Sequence, residues 1–310
     1  MRKIVKRVGF SGLLGLAVFA LIATSVIPNG CSLLSPGAAK AQVTKCPDLV
    51  QQALALSRDA CVGIGRNKAC YGHVLVNAEA QPNVSNFTFA SQGAVADIAA
   101  IRSLALNPYD SASHIWGISY LRVQASLPDT AAGENVTVLL FGQTQIDDAS
   151  QASDVQTAYP DLGNLKPFQA FYFRSDTLSS DLCEQMPSSG VIVQTPNGMG
   201  AVSMVANGVR FDVSSGTAFM SVRSDHAMSF SVVEGSAQVT AKGVRQTVQA
   251  GSQVAVPMTI DLKPAGPPGP PQPYQVTHMP GVAAQYMPNP ITIAPPFPGA
   301  QCQAAQPASG

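Results

Sequence analysis

Apolar and polar residues alternate at a spacing of two through most of residues 185–258. Successive side chains of a β-strand point to opposite faces of a sheet, so this spacing predicts strands with at least one face turned to a core. The chain has 310 residues, which is enough for one or two domains. The alternating runs are Val202–Ala206, Val209–Val213, Ala218–Val222, Met228–Val232, Ala237–Ala241 and Val254–Met258.

Glycine-containing turn sequences separate these runs, mostly at intervals of eight to ten residues. Asn-Gly is a strong hairpin signal because both of its residues tolerate a positive φ. Short strands with regular turns predict an antiparallel all-β fold of the sandwich, jelly-roll or β-solenoid type. The predicted turns are Asn197-Gly198, Asn207-Gly208, Ser215-Gly216, Glu234-Gly235, Lys242-Gly243 and Ala250-Gly251.

Four short motifs stand out between Val193 and Met258: Thr195-Pro196-Asn197-Gly198, Ser215-Gly216-Thr217, Val233-Glu234-Gly235-Ser236-Ala237-Gln238-Val239 and Val248-Gln249-Ala250-Gly251-Ser252-Gln253-Val254. With these motifs, the segment resembles a FecR-type domain. The resemblance implies an extracytoplasmic β-domain, over about residues 185–258, that receives signals or organises the cell envelope without chemistry of its own. Residues 61–72 are also similar to a module that is paired with FecR-like domains in envelope proteins of some filamentous bacteria.

Residues 1–45 have the composition of a signal peptide or a signal anchor. Four basic side chains in the first seven residues precede Val8–Ile27, twenty residues without a charge. A segment of this length spans a membrane core of about 30 Å, with its basic end inside. The alternatives are cleavage after Ala39-Lys40-Ala41 or near Ala23-Thr24-Ser25, and a lipid-modified Cys31. Each alternative places residues 46–310 outside the cytoplasm, either membrane-anchored or secreted.

Four cysteines, Cys46, Cys61, Cys70 and Cys183, are the candidates for disulfide bonds, which an exported protein can form. The apolar spacing predicts a short helix between Cys46 and Cys61. A continuous helix would hold these two about 22 Å apart, whereas a disulfide needs Cα atoms within about 7 Å. With Cys183 as the fourth partner, two connectivities remain: Cys61–Cys70 with Cys46–Cys183, or Cys46–Cys70 with Cys61–Cys183. Free thiols are the alternative.

The predicted fold is mainly all-β, with two antiparallel β modules, one short disulfide-stapled N-terminal helix and a Pro-rich disordered tail. The first module spans residues 46–146, and its run Val136–Ile146 is apolar on both faces, which predicts a central strand. Residues 94–106 fit either a short helix or strands. Residues 147–184 are predicted to be a linker with a connecting strand. Residues 257–310 hold 14 of the 24 prolines, so residues 259–310 are predicted to be disordered.

The sequence predicts a protein that is not an enzyme. It has no nucleophile–base motif and no complete set of zinc ligands at a matching spacing, so we predict no catalytic residue, metal or cofactor. Charged residues make up 12% of the chain, and no basic patch remains beyond the leader, which argues against nucleic-acid binding.

The expected role is scaffolding, sensing or binding at the cell surface, with an envelope protein or a glycan as the partner. Residues 8–27 would attach the protein to the membrane if they are retained. The alternative is a secreted carbohydrate- or ligand-binding β module, and a hydrolase is the third hypothesis. Trp116 and Tyr120 share one face of a predicted strand and are weak candidates for a ligand-binding surface, with packing in the core as the competing interpretation.

Overall fold

The computed structural model describes residues 48–110, 116–127, 135–175, 189–222, 226–276, 279 and 281–297. The predicted leader, including the apolar segment 8–27, and the two cysteines Cys46 and Cys183 lie outside these ranges. Within the ranges, no helix is both long enough and apolar enough to cross a membrane.

Strands dominate the described residues, which confirms the mainly all-β prediction. The helices are α1 (Asp48–Cys61), α2 (Ser153–Ala158) and α3 (Gly281–Ala284), with 3₁₀ turns at Ile98–Ala100 and Pro160–Leu162. The strands are β1 (Lys68–His73), β2 (Val76–Ala80), β3 (Val95–Asp97), β4 (Ile101–Leu106), β5 (Ile118–Val123), β6 (Val136–Phe141), β7 (Thr144–Asp148), β8 (Ala170–Ser175), β9 (Gly190–Gln194), β10 (Ala201–Ala206), β11 (Val209–Val222), β12 (Ala227–Ala241), β13 (Val244–Gln249), β14 (Ser252–Pro257) and β15 (Gln272–Pro273).

These strands form one sheet, which corrects the prediction of two β modules. The main path runs β2-β4-β7-β8-β10-β11-β9-β6-β5-β1-β3, and β12 connects β11 to β13 and β14. Strand β6, from the predicted first module, pairs antiparallel with β9 of the predicted second module. Strands β8 and β10 pair in parallel, so the sheet is mixed. Strands that are distant in sequence therefore interleave in space, and local periodicity carries no information on such pairing.

The sheet curls around its main hydrophobic core. Strands β1 and β2 are joined by Val74 and Leu75 alone, yet they lie near opposite ends of the sheet path. Leu75 has a φ of 57° at this corner. The inner face of the curled sheet encloses one large cluster of buried residues that draws side chains from strands along the whole path. The two ends of the sheet are therefore brought close together by the short β1–β2 connection.

Strand β6 is buried on both faces, as its sequence predicts. Val138 and Leu140 belong to the enclosed core, whereas Leu139 and Phe141 belong to a second cluster on the outer face. The neighbouring strands continue this outer cluster, for example with Phe219 of β11, whose ring stacks on Phe141 at a centroid distance of 6.0 Å. The outer face of these strands therefore needs a covering layer.

That covering layer consists of α1 and the described residues between 272 and 297. Tyr274 and Met287 are buried in the outer cluster together with Leu54 of α1. The backbone N–H of Ala294 donates to the oxygen of Val233 at 3.1 Å. The structure thus corrects the prediction of a disordered tail for this part of the chain. Its proline content is high, but its Tyr, Met and Ile side chains bury enough apolar area to hold it on the sheet.

Two of the predicted turns are bulges inside long strands. Strands β11 and β12 pair along most of their length, and their register shifts between Ser214 and Ala218. Gly216 and Gly235 lie at this shift, where a Cβ at Gly216 would overlap the carbonyl oxygen of Glu234. Glycine is required here for close approach of two strands rather than for a chain reversal. The other predicted turns are turns in the structure.

Two segments whose secondary structure the sequence did not settle also contribute strands to the sheet. Residues 94–106 form β3, a 3₁₀ turn and β4 rather than a helix. The predicted linker contains α2 and β8, and a small third cluster joins them through Val155 and Ala170. This cluster also includes Val205 of β10, so α2 is fixed against the outside of the sheet.

Candidate functional site

A row of polar side chains crosses five neighbouring strands on the outer face of the sheet. Arg122 of β5 is in register with Thr137 of β6, which is in register with Gln194 of β9. Gln194 is in register with Thr217 of β11, which in turn lies opposite Glu234 of β12. We call these five residues the polar row.

The polar row lies at the margin of the outer apolar cluster. On β5 the outward side chain before Arg122 is the buried Tyr120, and on β9 the one before Gln194 is the buried Ile192. Residues two apart on a strand share a face. The outer face therefore changes from apolar to polar between one outward-facing residue and the next on the same strand. This change of polarity within an alternating run is the sequence signal for the row, and the sequence-based site prediction missed it.

Hydrogen bonds join members of the polar row. Arg122 donates through Nη1 to Thr137 Oγ1 at 2.7 Å. Gln194 donates through Nε2 to Thr217 Oγ1 at 3.3 Å, and Thr217 donates to Glu234 Oε2 at 3.3 Å. A buried polar group is stable when it is hydrogen-bonded, so these contacts allow polar residues inside a largely apolar surface.

The C-terminal segment docks beside the polar row through side chain–backbone contacts. Gln194 accepts a hydrogen bond from the Asn289 N–H at 3.1 Å and donates to the Asn289 oxygen at 2.6 Å. Tyr120 donates to the backbone oxygen of Tyr286 at 3.2 Å. The guanidinium of Arg58 lies 5.5 Å from the ring centroid of Tyr286. Residues 286–290 therefore form one wall above the polar row.

Two adjoining cavities occupy the space between this wall and the sheet, and both include Arg122, Thr137 and Pro288 in their lining. Their volumes are about 440 Å³ and about 240 Å³. We call the two together the outer groove. The larger part is further lined by Arg58, Cys61, Val62, Gly63, Ile64, Tyr120, Tyr286, Met287 and Pro290, and the smaller by Asn135, Gln194, Thr195, Pro196, Asn197 and Asn289.

A disulfide bond shapes the far wall of the outer groove. Cys61 at the end of α1 is bonded to Cys70 of β1, with their Cα atoms 5.7 Å apart. This pair belongs to one of the two connectivities that the sequence left open; its second pair, Cys46 and Cys183, lies outside the described residues. The bond closes the loop 62–69, whose residues Val62, Gly63 and Ile64 face the groove.

Trp116 and Tyr120, the two residues that the sequence suggested for ligand binding, lie on the outer face of the sheet, beneath the covering layer. Trp116 is 1% exposed and Tyr120 is 5% exposed. Trp116 packs edge-on against Phe141 at a centroid distance of 6.3 Å. The structure therefore supports the competing interpretation, core packing, for Trp116. Tyr120 keeps one side toward the outer groove, where its hydroxyl holds the C-terminal segment.

Titratable side chains are scattered over the described part of the chain, and no group of three or more His, Cys, Asp or Glu residues there could hold a metal ion. His73 is buried at the end of β1, and its Nδ1 lies 3.0 Å from the carbonyl oxygen of Trp116. Burial lowers the pKa of His73 below its usual value, against the smaller opposing effect of that hydrogen bond. Its position indicates a structural role at the β1–β2 corner.

Comparison of the chain with protein-family models, with curated proteins and with solved structures gave no match. The class of protein is therefore defined by the fold and the groove alone. It is a mainly β protein with a curled mixed sheet, an outer face closed by its own C-terminal segment, and an open groove lined by amides, hydroxyls, prolines and arginines.

Proposed function

We propose that this protein is a non-enzymatic, extracytoplasmic envelope protein of FecR-like type, and that it binds an envelope component in the outer groove. The observation that carries the proposal is the groove itself. It is open to solvent, it crosses several strands of the sheet, and its lining offers hydrogen-bonding groups beside the rings of tyrosines and prolines. Such a surface suits recognition of an extended partner.

The chemistry of the lining supports binding rather than catalysis. Hydrolysis by a protein side chain needs a nucleophile or a carboxylate with a matched acid or base. Among the described residues, those that line the groove include no histidine, carboxylate or free thiol. Their amides and hydroxyls can hold a partner in place without reacting with it.

The disulfide supports a location outside the cytoplasm. Disulfide bonds persist in oxidising compartments and are rare in the reducing cytoplasm. The Cys61–Cys70 bond is part of the groove wall. In this proposal the groove therefore keeps its shape only in a compartment where the bond stays oxidised. The N-terminal charge pattern and the apolar segment 8–27 support the same location.

The first test is the mass and N-terminal sequence of the native protein from fractionated cells, measured without reductant. We expect the protein in the membrane fraction starting at Met1, or in the medium starting near Gln42, with Cys61 and Cys70 bonded. Recovery from the cytoplasm with reduced cysteines would contradict the proposed location.

The second test measures cosedimentation of the full chain with isolated cell envelopes. Asn289→Trp places a large side chain in the groove from an exposed position, and Gln285→Trp makes the same change outside the groove on the same segment. We expect Asn289→Trp to weaken binding by about tenfold, or about 1.4 kcal/mol, while Gln285→Trp leaves it unchanged. Equal binding by both variants would exclude the outer groove as the binding surface.

The second candidate function is a secreted carbohydrate-binding module. The specific observation in its favour is the amide-rich lining of the smaller part of the groove, where Asn135, Gln194, Asn197 and Asn289 lie close together. Side-chain amides suit the donor and acceptor pattern of sugar hydroxyls. A panel of soluble glycans separates the two candidates: a rise in the melting temperature with one glycan, lost in Asn289→Trp, would favour this function.

A further inference from the structure

A further cavity lies beside helix α2, separate from the outer groove. It has a volume of about 500 Å³ and is bounded by α2, by the turns at Asn207-Gly208 and Lys242-Gly243, and by the segment that carries Lys263 and Pro264. None of the residues that line it also lines the outer groove. Its volume falls within the range of about 300–1,000 Å³ that is typical of small-molecule sites.

The walls of this cavity, which we call the α2 cavity, are largely apolar. Val155 and Ala158 come from α2, Tyr172 from β8, and Tyr159 from the loop after α2, with Pro264 on the opposite side. The hydroxyl of Tyr159 is fixed by donating to the Gly208 oxygen at 2.8 Å, so the orientation of its ring is set. These walls can hold the apolar body of a small molecule.

The charged groups of the α2 cavity have a positive balance. Two ammonium groups, those of Lys242 and Lys263, face one carboxylate, that of Asp154. Lys263 pairs with Asp154 at 3.0 Å, and Tyr172 donates to the same carboxylate at 2.7 Å. The hydrogen bond from Tyr172, together with Lys263, lowers the pKa of Asp154, so this carboxylate stays ionised and is already partnered. Lys242 makes no ion pair with any residue that the structure describes.

From these observations we propose that the α2 cavity is a binding site for a small amphipathic carboxylate. The apolar body lies against Val155, Tyr159 and Pro264. The carboxylate lies at the rim, where it receives the charge of Lys242 and Lys263. A cation is disfavoured because the carboxylate of Asp154 is already paired. The proposal goes beyond the function of the outer groove and does not depend on it.

The test is isothermal titration calorimetry of the full chain with 3-phenylpropionate, with its neutral amide, 3-phenylpropanamide, as the matched ligand. Two tryptophan variants on α2 serve as a pair: Ala158→Trp fills the cavity, whereas Thr157→Trp adds the same side chain at an exposed position outside it. We expect the carboxylate to bind at least about tenfold more tightly than the amide. Binding should be lost in Ala158→Trp and retained in Thr157→Trp.

The charge of Lys242 is tested separately with Lys242→Gln, which removes the charge and leaves a polar side chain in an exposed turn. Because the ammonium is exposed, we expect the affinity for the carboxylate to fall about two- to fivefold, with no change for the amide. Three results would each overturn the proposal: no heat of binding at millimolar 3-phenylpropionate, equal affinity for acid and amide, or equal binding by the two tryptophan variants.

Discussion

Gly251 lies where the C-terminal segment crosses the sheet, and a methyl group at this position would displace that segment. The Phe297 N–H donates to the Gly251 oxygen at 2.9 Å. A Cβ at Gly251 would overlap the oxygen of Pro295 and lie 2.7 Å from the Phe297 nitrogen. Gly251 also has a φ of 90°, which side-chain-bearing residues rarely adopt. The substitution Gly251→Ala therefore acts on both the local backbone and the covering layer.

The two effects can be added. A residue with a side chain at positive φ costs about 1–2 kcal/mol. Displacement of the segment also breaks the hydrogen bonds from Phe297 to Gly251 and from Ala294 to Val233, which contribute about 0.5–1.5 kcal/mol each. The expected loss in the free energy of unfolding is thus about 2–5 kcal/mol.

Gly243→Ala is the matched control, because Gly243 has a φ of 75° and open space around the position of a Cβ. We expect it to lose only the backbone part, about 1–2 kcal/mol. Urea unfolding of the full chain without reductant, followed by the fluorescence of the buried Trp116, measures both variants. Hydrogen exchange at the Phe297 amide shows whether the C-terminal segment has been displaced, because this N–H donates to the Gly251 oxygen. Equal losses in the two variants, or unchanged exchange at Phe297 in Gly251→Ala, would refute the docking of this segment.

Three further predictions concern other parts of the fold. Replacing both Cys61 and Cys70 with Ser removes a link of sequence separation 9, so loop entropy predicts a loss of about 2.5 kcal/mol, checked by urea unfolding against the oxidised parent. Gly216→Ala forces two strands apart and should cost about 1–3 kcal/mol, whereas Gly200→Ala, in open space, should change stability by less than about 0.5 kcal/mol. The lowered pKa of His73 means that the unfolded chain binds more protons just below pH 6.5, so stability should fall as the pH drops through this region. A pH series of unfolding curves should show a weaker dependence in His73→Asn, and an unchanged dependence would assign it to other groups.

Much of the fold could be predicted because it depends on local patterns. The alternation at β10 to β12 gave the strands, and the uniformly apolar run of β6 gave a strand buried on both faces. The end of α1 at Cys61 follows from helical spacing before a glycine-rich turn. These features are set by a few consecutive residues, so the sequence displays them directly.

The pairing of remote strands could not be predicted in this way. Strand β6 is compatible with any neighbour that offers apolar side chains on both faces, and both β5 and β9 satisfy that condition. The same limit applies at Ser215-Gly216, where a glycine needed for a bulge has the same sequence signature as one needed for a turn. Only the register of β11 on β12 distinguishes the two.

The candidate site depends on the same long-range information. Each member of the polar row can be recognised in the sequence as a polar residue on the strand face that is otherwise apolar. That the five residues lie side by side follows only from the register of the five strands. The contact between Gln194 and Asn289 spans 95 residues, and a proline-rich composition gives no hint of it.

The pairing of the strands beneath the C-terminal segment explains why the outer groove exists. Strands β5 and β9 are each paired on both sides, so the segment around Pro288 and Pro290 finds no free strand edge there and cannot extend the sheet as a further strand. The sheet instead holds this segment through side chains, with Gln194 bonded to the Asn289 backbone and Tyr120 bonded to the Tyr286 oxygen. A paired strand would lie flush against its neighbour, whereas a segment held by side chains stands above the sheet surface. The space left beneath it is the outer groove, so the composition that predicts disorder in isolation produces, on this sheet, the wall of the candidate site.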